Sequence, residues 1–223
     1  KINQEDGFFF DILFISSNNN ATDNNAIAFL KNIPCVNEVY SVKRFKLSSV
    51  PVAERFDFMP EDVWNSMDKN LLDQAVQLVQ ENHYDIIQVE HSYLSWIVPK
   101  LKRLSPKSKF ILDNHNCEYR FYETKLPFCE TDEVRKETQK KYELLKKFEF
   151  HTWNYFDAIF TVSSVEAEII KNTLSSMKIY DCPVSGVDIQ KYSNNIPFSQ
   201  RKFDIVYLGT LSWGPHGHGL VWF

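Results

Sequence analysis

Phe156-Asp157-Ala158-Ile159-Phe160-Thr161-Val162-Ser163-Ser164-Val165-Glu166 joins a short apolar run to a polar helix start. The run Ala158–Val162 shows no polar alternation, which suits a strand of a parallel sheet covered by helices on both faces. Ser163 and Glu166 stand in capping-box form, the hydroxyl expected to accept from the backbone while the carboxylate reaches back. Working outward, Phe8–Ser16, Asp85–Val89 and Lys109–Leu112 are similar apolar runs, each followed by polar loop residues. Glu38–Phe45 and Lys178–Asp181 are weaker strand candidates, and Phe203–Leu208 is a late one. Helical patterns fall between them at Asn24–Lys31, Pro60–Asn82, Trp96–Leu104, Asp132–Phe156 and Ser164–Leu174. Pro60-Glu61-Asp62 places a proline and two acids in a first helical turn, as the helix dipole favours. The alternation predicts the α/β class, with a doubly wound and mostly parallel sheet. Ligands in that architecture sit beyond the carboxyl ends of the strands, so the loops after each strand are where chemistry is sought.

Composition narrows the function classes. A formal charge of −4 offers no overall attraction for nucleic acid. Lys140, Lys141, Lys146 and Lys147 cluster on one predicted helix, which reads first as a solvated face; peripheral association with a membrane is left open. Cys35, Cys117, Cys129 and Cys182 show no C-x-x-C pairing and no zinc-finger spacing, and read as reduced thiols rather than a disulfide framework. No apolar stretch approaches the roughly 20 residues of a membrane span, and no signal peptide is visible, so the expectation is a cytoplasmic protein. His216 and His218 form an H-x-H, too little to assign a metal, and neither a metal nor another cofactor is expected. Ser193–Arg201 is a polar stretch that reads as a linker. The expected organisation is a domain over 1–192, a linker over 193–201, and the start of a second domain over 202–223. Residue 1 is Lys rather than Met and the apolar end at Phe223 lies in a predicted helix, so the chain is expected to be part of something longer.

Three segments in order carry a family resemblance: Phe156-Asp157-Ala158-Ile159-Phe160-Thr161-Val162-Ser163, Pro183-Val184-Ser185-Gly186-Val187-Asp188, and Asp204 to His216 with its Tyr207-Leu208-Gly209-Thr210-Leu211-Ser212-Trp213-Gly214-Pro215 core. Upstream, Tyr84 to Glu90 and Leu112-Asp113-Asn114-His115-Asn116-Cys117-Glu118 also fit. Together these resemble the retaining GT-B glycosyltransferases known as glycosyl transferases group 1, or family 4. The resemblance implies two Rossmann-like domains across a cleft, acceptor on the first and nucleotide-sugar on the second, with a glycan or other hydroxyl acceptor and a role in polysaccharide biosynthesis. It implies a metal-independent transferase, with residues 1–223 alone inactive because most of the donor site lies farther along. The loop Ser16-Ser17-Asn18-Asn19-Asn20 departs from the glycine pair of many relatives, where backbone would approach the donor phosphates. Oligomeric state, donor and acceptor identity are not indicated.

Within this frame His115 is the catalytic candidate, since a strand-end imidazole can hydrogen-bond a sugar hydroxyl or the transferring group. Asn116, Glu118, His91 and Glu90 are acceptor-binding candidates, carboxylates making strong hydrogen bonds to hydroxyls; Glu118 and Glu90 equally suit helix capping or pairing with Arg120 or a lysine. Donor-binding candidates are Ser17, Asn18, Gly186, Asp188, Gly209, Thr210 and Trp213. Gly186 and Asp188 also read as turn residues, and Gly209 would let backbone amides face a diphosphate at a helix start. A non-catalytic module binding glycan or a protein partner is the rival reading.

Overall fold

A computed structural model describes residues 7–16, 20–44, 58–174, 178–182, 190, 197–203, 205–207, 209, 217 and 219–221. The chain divides into two compact units, Lys1–Val184 and Ser185–Phe223.

The first unit is α/β with parallel strands throughout. β1 (Phe10–Ser16) is followed by α1 (Asn20–Lys31) and β2 (Val36–Lys43), and the two strands pair in parallel. After α2 (Glu61–Ser66) and α3 (Lys69–Glu81) comes a four-stranded sheet. It is built from β3 (Ile86–Glu90), β4 (Lys109–Asn114), β5 (Ala158–Thr161) and β6 (Lys178–Asp181), side by side in chain order and all parallel. Crossovers run through α4 (Val98–Leu104), α5 (Glu118–Lys125) with α6 (Asp132–Thr152), and α7 (Ser164–Thr173). A single apolar cluster takes in Trp96, Phe110, Leu112, Leu145, Phe148, Trp153 and Ile159, together with Val42 of β2, and Leu13 and Ile15 of β1 pack against it. Large apolar side chains buried this fully contribute about 1.5–3 kcal/mol each over exposure, so this cluster is what fixes the sheet against α6.

The strand expectations locate β1 to β6 to within two residues at each end, and Lys178–Asp181 is met without change. The helix expected over Pro60–Asn82 is two helices. Met67 and Asp68 adopt extended backbone, and the Asp68 carboxylate accepts from Leu71 N–H at 3.0 Å, capping α3. An aspartate buried here competes with the helical backbone and restarts it instead. Trp96–Leu104 begins as a 3₁₀ turn, Ser92–Ile97, before α4. The capping box also fails in both halves: Ser163 makes no side-chain cap bond, and the Glu166 carboxylate accepts from the backbone N–H of Cys117 at 2.7 Å instead of reaching back. α5 carries a weak apolar stripe and is absent from the helices expected.

In the second unit, Phe198–Gln200 forms a 3₁₀ turn. Phe203 and Ile205–Tyr207, expected in a strand, are in none. Their side chains are exposed, and among the described residues no neighbouring strand takes up their backbone hydrogen bonds, which is what an isolated apolar run needs to become a strand. Gly209 is exposed at a bend.

Replacing Asp68 with Ala removes the α3 cap and is expected to cost about 1–2 kcal/mol. Urea unfolding checks this as a lower midpoint at unchanged slope, with Asp68→Asn retaining most of the stability.

Candidate functional site

Parallel pairing of β3 with β4 sets Glu90 directly opposite Asp113 at the carboxyl ends of both strands. The ladder then continues one step, His91 N–H donating to the Asp113 carbonyl at 3.0 Å. To turn from there into the 3₁₀ segment, His91 takes φ 78°, ψ 134° and is the only non-glycine with positive φ among the described residues. A side-chain-bearing residue held there stores about 1–3 kcal/mol of strain, and such strain concentrates at working sites.

Around this corner polar groups converge. His115, one residue beyond β4, places Nε2 3.0 Å from Glu90 Oε2. In a neutral ring Nε2 carries the hydrogen it donates to the carboxylate, which leaves Nδ1 as an acceptor. The His91 ring lies 5.0 Å from that of His115 and stacks on Tyr93 at 5.1 Å and 10°. Tyr93 donates its hydroxyl to Glu118 Oε2 at 2.9 Å, Asn116 Nδ2 donates to Glu118 Oε1 at 3.4 Å, and His91 Nδ1 is 3.6 Å from the same oxygen. Gln88 Nε2 donates to Glu90 at 2.7 Å and reaches Asp113 at 3.5 Å.

The electrostatics follow from crowding carboxylates at a partly desolvated edge. Burial, and then the Glu90 charge, push the Asp113 carboxyl above its usual range. Burial lowers His91, reinforced by His115 and opposed by Glu118 and Glu90. The Tyr93 hydroxyl is raised by burial and by Glu118, which keeps it a donor. Glu90, Asp113 and His115 offer one ligand atom each within 4.8 Å of one another, the group with metal-ligand character among the described residues. An O, O, N donor set suits a divalent cation. Yet Glu90 and His115 are exposed and already bonded to each other, so the arrangement stands without one.

Beneath the site, two carboxylates hold the start of α5. Glu149 of α6, fully buried, accepts from Glu118 N–H at 3.1 Å and Tyr119 N–H at 3.0 Å. Glu166 of α7 accepts from Cys117 N–H. Burial pushes the Glu149 carboxyl up to about 8, against the pull of its two amide donors, and pushes Glu166 up as well.

The structure thus gathers His115, Glu90, His91, Asn116 and Glu118 at one strand edge. Ser17, Asn18, Gly186, Asp188, Thr210 and Trp213 lie outside the described residues, as do His216 and His218, and Gly209 belongs to the second unit. Glu118 pairs with Tyr93 and Asn116 rather than with Arg120, whose guanidinium meets Glu123 at 3.8 Å. Asp113, Tyr93, Glu149 and Glu166 were not among the expected site residues. Glu149 did carry a signal: it lies on the stripe of α6 that buries Leu145, Phe148 and Thr152, and a charge on a buried stripe calls for a partner.

No protein-family model matches the chain, and no curated protein matches it. Among solved structures, Glycyrrhiza uralensis UGT73P12, complexed with glycyrrhetinic acid 3-O-monoglucuronide, is similar with a TM-score of 0.45 and 14% identity. The match covers 77% of this chain and 42% of that one, so the chain spans less than half of the neighbour's length. A likeness at this level concerns the course of the chain, and the chemistry rests on the residues above.

Two outcomes test the site's physics. His91→Gly relieves the positive φ and is expected to be about 1 kcal/mol more stable than His91→Ala; an alanine variant of equal stability in urea removes the strain. For Glu149 the folded value of about 8 lies above the ordinary 4.5. Its contribution is therefore fully present below pH 4.5 and is lost as pH rises toward 8, with Asp113 and Glu166 acting in the same direction. Thermal denaturation across pH 5 to 8 should show a falling midpoint, and Glu149→Gln should flatten that slope.

Proposed function

We propose that this chain is the acceptor-side part of a retaining glycosyltransferase that moves a sugar from a nucleotide-diphosphate donor to a hydroxyl acceptor. The observation that carries the reading is the convergence of His115, Glu90, Asp113, His91 and Glu118 at the carboxyl ends of β3 and β4. Sugar hydroxyls both donate and accept, and an edge of carboxylates with two imidazoles recognises them from several directions. The ordered family resemblance over 84–223 supports the same reading.

In this reading Glu90 orients the His115 ring through Nε2, so that Nδ1 faces the acceptor hydroxyl or the transferring sugar. Glu118 and Asn116 bind a neighbouring hydroxyl. The second domain, starting after the 193–201 linker, grips the donor, with Gly209, Thr210 and Trp213 as its donor-binding candidates. Helix dipole and basic side chains stabilise the departing diphosphate, and closure of the two domains excludes water and limits donor hydrolysis. The loop Ser17-Asn18, with asparagines in place of a glycine pair, favours a second reading: a non-catalytic module that binds a glycan without transferring sugar.

The deciding experiment incubates the protein carrying its whole donor-binding domain with UDP-glucose, UDP-N-acetylglucosamine or GDP-mannose and an oligosaccharide acceptor panel, following nucleotide release and product. Turnover that falls 10²-fold or more in His115→Ala supports the role, since positioned acid–base groups contribute at least that much. Near-unchanged turnover in the variant removes it. Glycan binding by calorimetry without any transfer favours the module.

A further inference from the structure

The loop that carries His115, Asn116 and Glu118 ends at a helix start that has no side-chain cap of its own, Cys117 making none. The amides at this start are taken instead by carboxylates from two other helices. Glu166 holds Cys117 N–H, and Glu149 holds those of Glu118 and Tyr119. Glu149 is fully buried, on the stripe of α6 that also buries Leu145 and Phe148, with the buried Ser92 hydroxyl as a further polar neighbour. A carboxylic acid in such a place is costly to bury, and an apolar residue would pack there at less cost. A carboxyl group whose two oxygens face consecutive amides does what an apolar residue does not: it holds both at once and so sets the rotation of the first turn of α5.

That rotation decides where the Glu118 side chain goes. From the same residue whose N–H Glu149 holds, the Glu118 carboxylate reaches Tyr93 Oη at 2.9 Å and lies 3.6 Å from His91 Nδ1. We propose that Glu149 is a positioning residue for the acceptor site, aligning Glu118 with His91 and Tyr93 through the two backbone amides at the start of α5, without touching substrate. This deepens the reading of the site as a sugar-hydroxyl binder and rests on it for its purpose, but the linkage itself is measurable in the protein without any substrate.

Two measurements test it. In wild-type protein, the backbone amide resonances of Glu118 and Tyr119 should titrate together with one shared midpoint well above that of an ordinary carboxyl. Amides that titrate independently, or not at all, between pH 5 and 9 overturn the proposal. The second uses the His91 ring resonances. Glu118→Gln removes the charge beside His91 and should lower the His91 titration midpoint. Glu149→Gln should move it in the same direction, by at least half as much, and Glu149→Asp should return it part of the way. A Glu149→Gln protein that melts earlier yet keeps the His91 midpoint, or a His91 midpoint indifferent to Glu118→Gln, overturns the proposal by showing support of the fold alone. In the transferase assay, Glu149→Gln is expected to raise the acceptor KM several-fold with donor KM unchanged. Coupled His91 shifts in a protein that transfers no sugar keep the positioning and discard the glycosyl-transfer reading.

Discussion

A helix start buried behind a sheet leaves amides that water does not reach, and each must find an acceptor inside the protein. At α5 this requirement is met by Glu149 and Glu166, acids supplied from α6 and α7. The consequence spreads outward. Holding α5 holds the turn after β4, and the turn after β4 carries His115 and Asn116. The cross-strand pair Glu90–Asp113 then has an imidazole beside it instead of a second unrelieved like charge. Fold and site are joined at this one cap.

The same requirement explains why the site is carboxylate-rich without being unstable. Glu90, Asp113, Glu118, Glu149 and Glu166 lie within a small part of the structure, yet each has a donor: His115, Gln88, Tyr93 or a backbone amide. Charge is dispersed into hydrogen bonds rather than neutralised by lysines. The cations Lys102 and Lys109 are used at the opposite end of β4, where Asp157 joins them at 3.9 and 2.9 Å and also accepts from Phe110 N–H. Burial raises Asp113 and Glu149, whereas the hydrogen bond from Phe110 N–H and the lysines outweigh the smaller burial at Asp157 and lower it. The two ends of one strand therefore have different electrostatic character, carboxylates beside imidazoles at one and a carboxylate between lysines at the other.

How much of this was legible in the sequence depended on whether a feature is local. The strands β3 to β5 were readable from their apolar runs, which in β4 and β5 report burial directly, and the strand-end placing of Glu90, His91, His115 and Glu118 followed from them; β6, mostly exposed, was the weaker candidate. The break at Asp68 was less legible: Pro60–Asn82 keeps its helical apolar spacing through the break, and what interrupts it is one buried carboxylate choosing Leu71 N–H. Ser163 and Glu166 misled for a related reason. A capping box is a local pattern, but Glu166 had a stronger claim on it from Cys117, distant in sequence and adjacent in space. At Phe203 and Ile205–Tyr207, the described part of another expected strand, the complementary ground applies, since an apolar run needs neighbours to become a strand. Glu149 was visible as an acid on a buried stripe, but its partners, thirty residues away, were not.

The positive φ of His91 bears on what the edge can recognise. An extended residue there would carry the chain straight past β4, and the 3₁₀ segment would start farther from Asp113. Turning through φ 78° instead lets His91 donate its N–H to the end of the ladder while its ring stacks on Tyr93. The two imidazoles then face each other at 5.0 Å, one paired with Glu90 and the other beside Glu118. Burial and its neighbour His115 both push His91 toward the neutral form, so the pair does not present two adjacent full charges. What it presents is carboxylates and imidazoles side by side along two strand tips, an edge whose like charges would repel an anion.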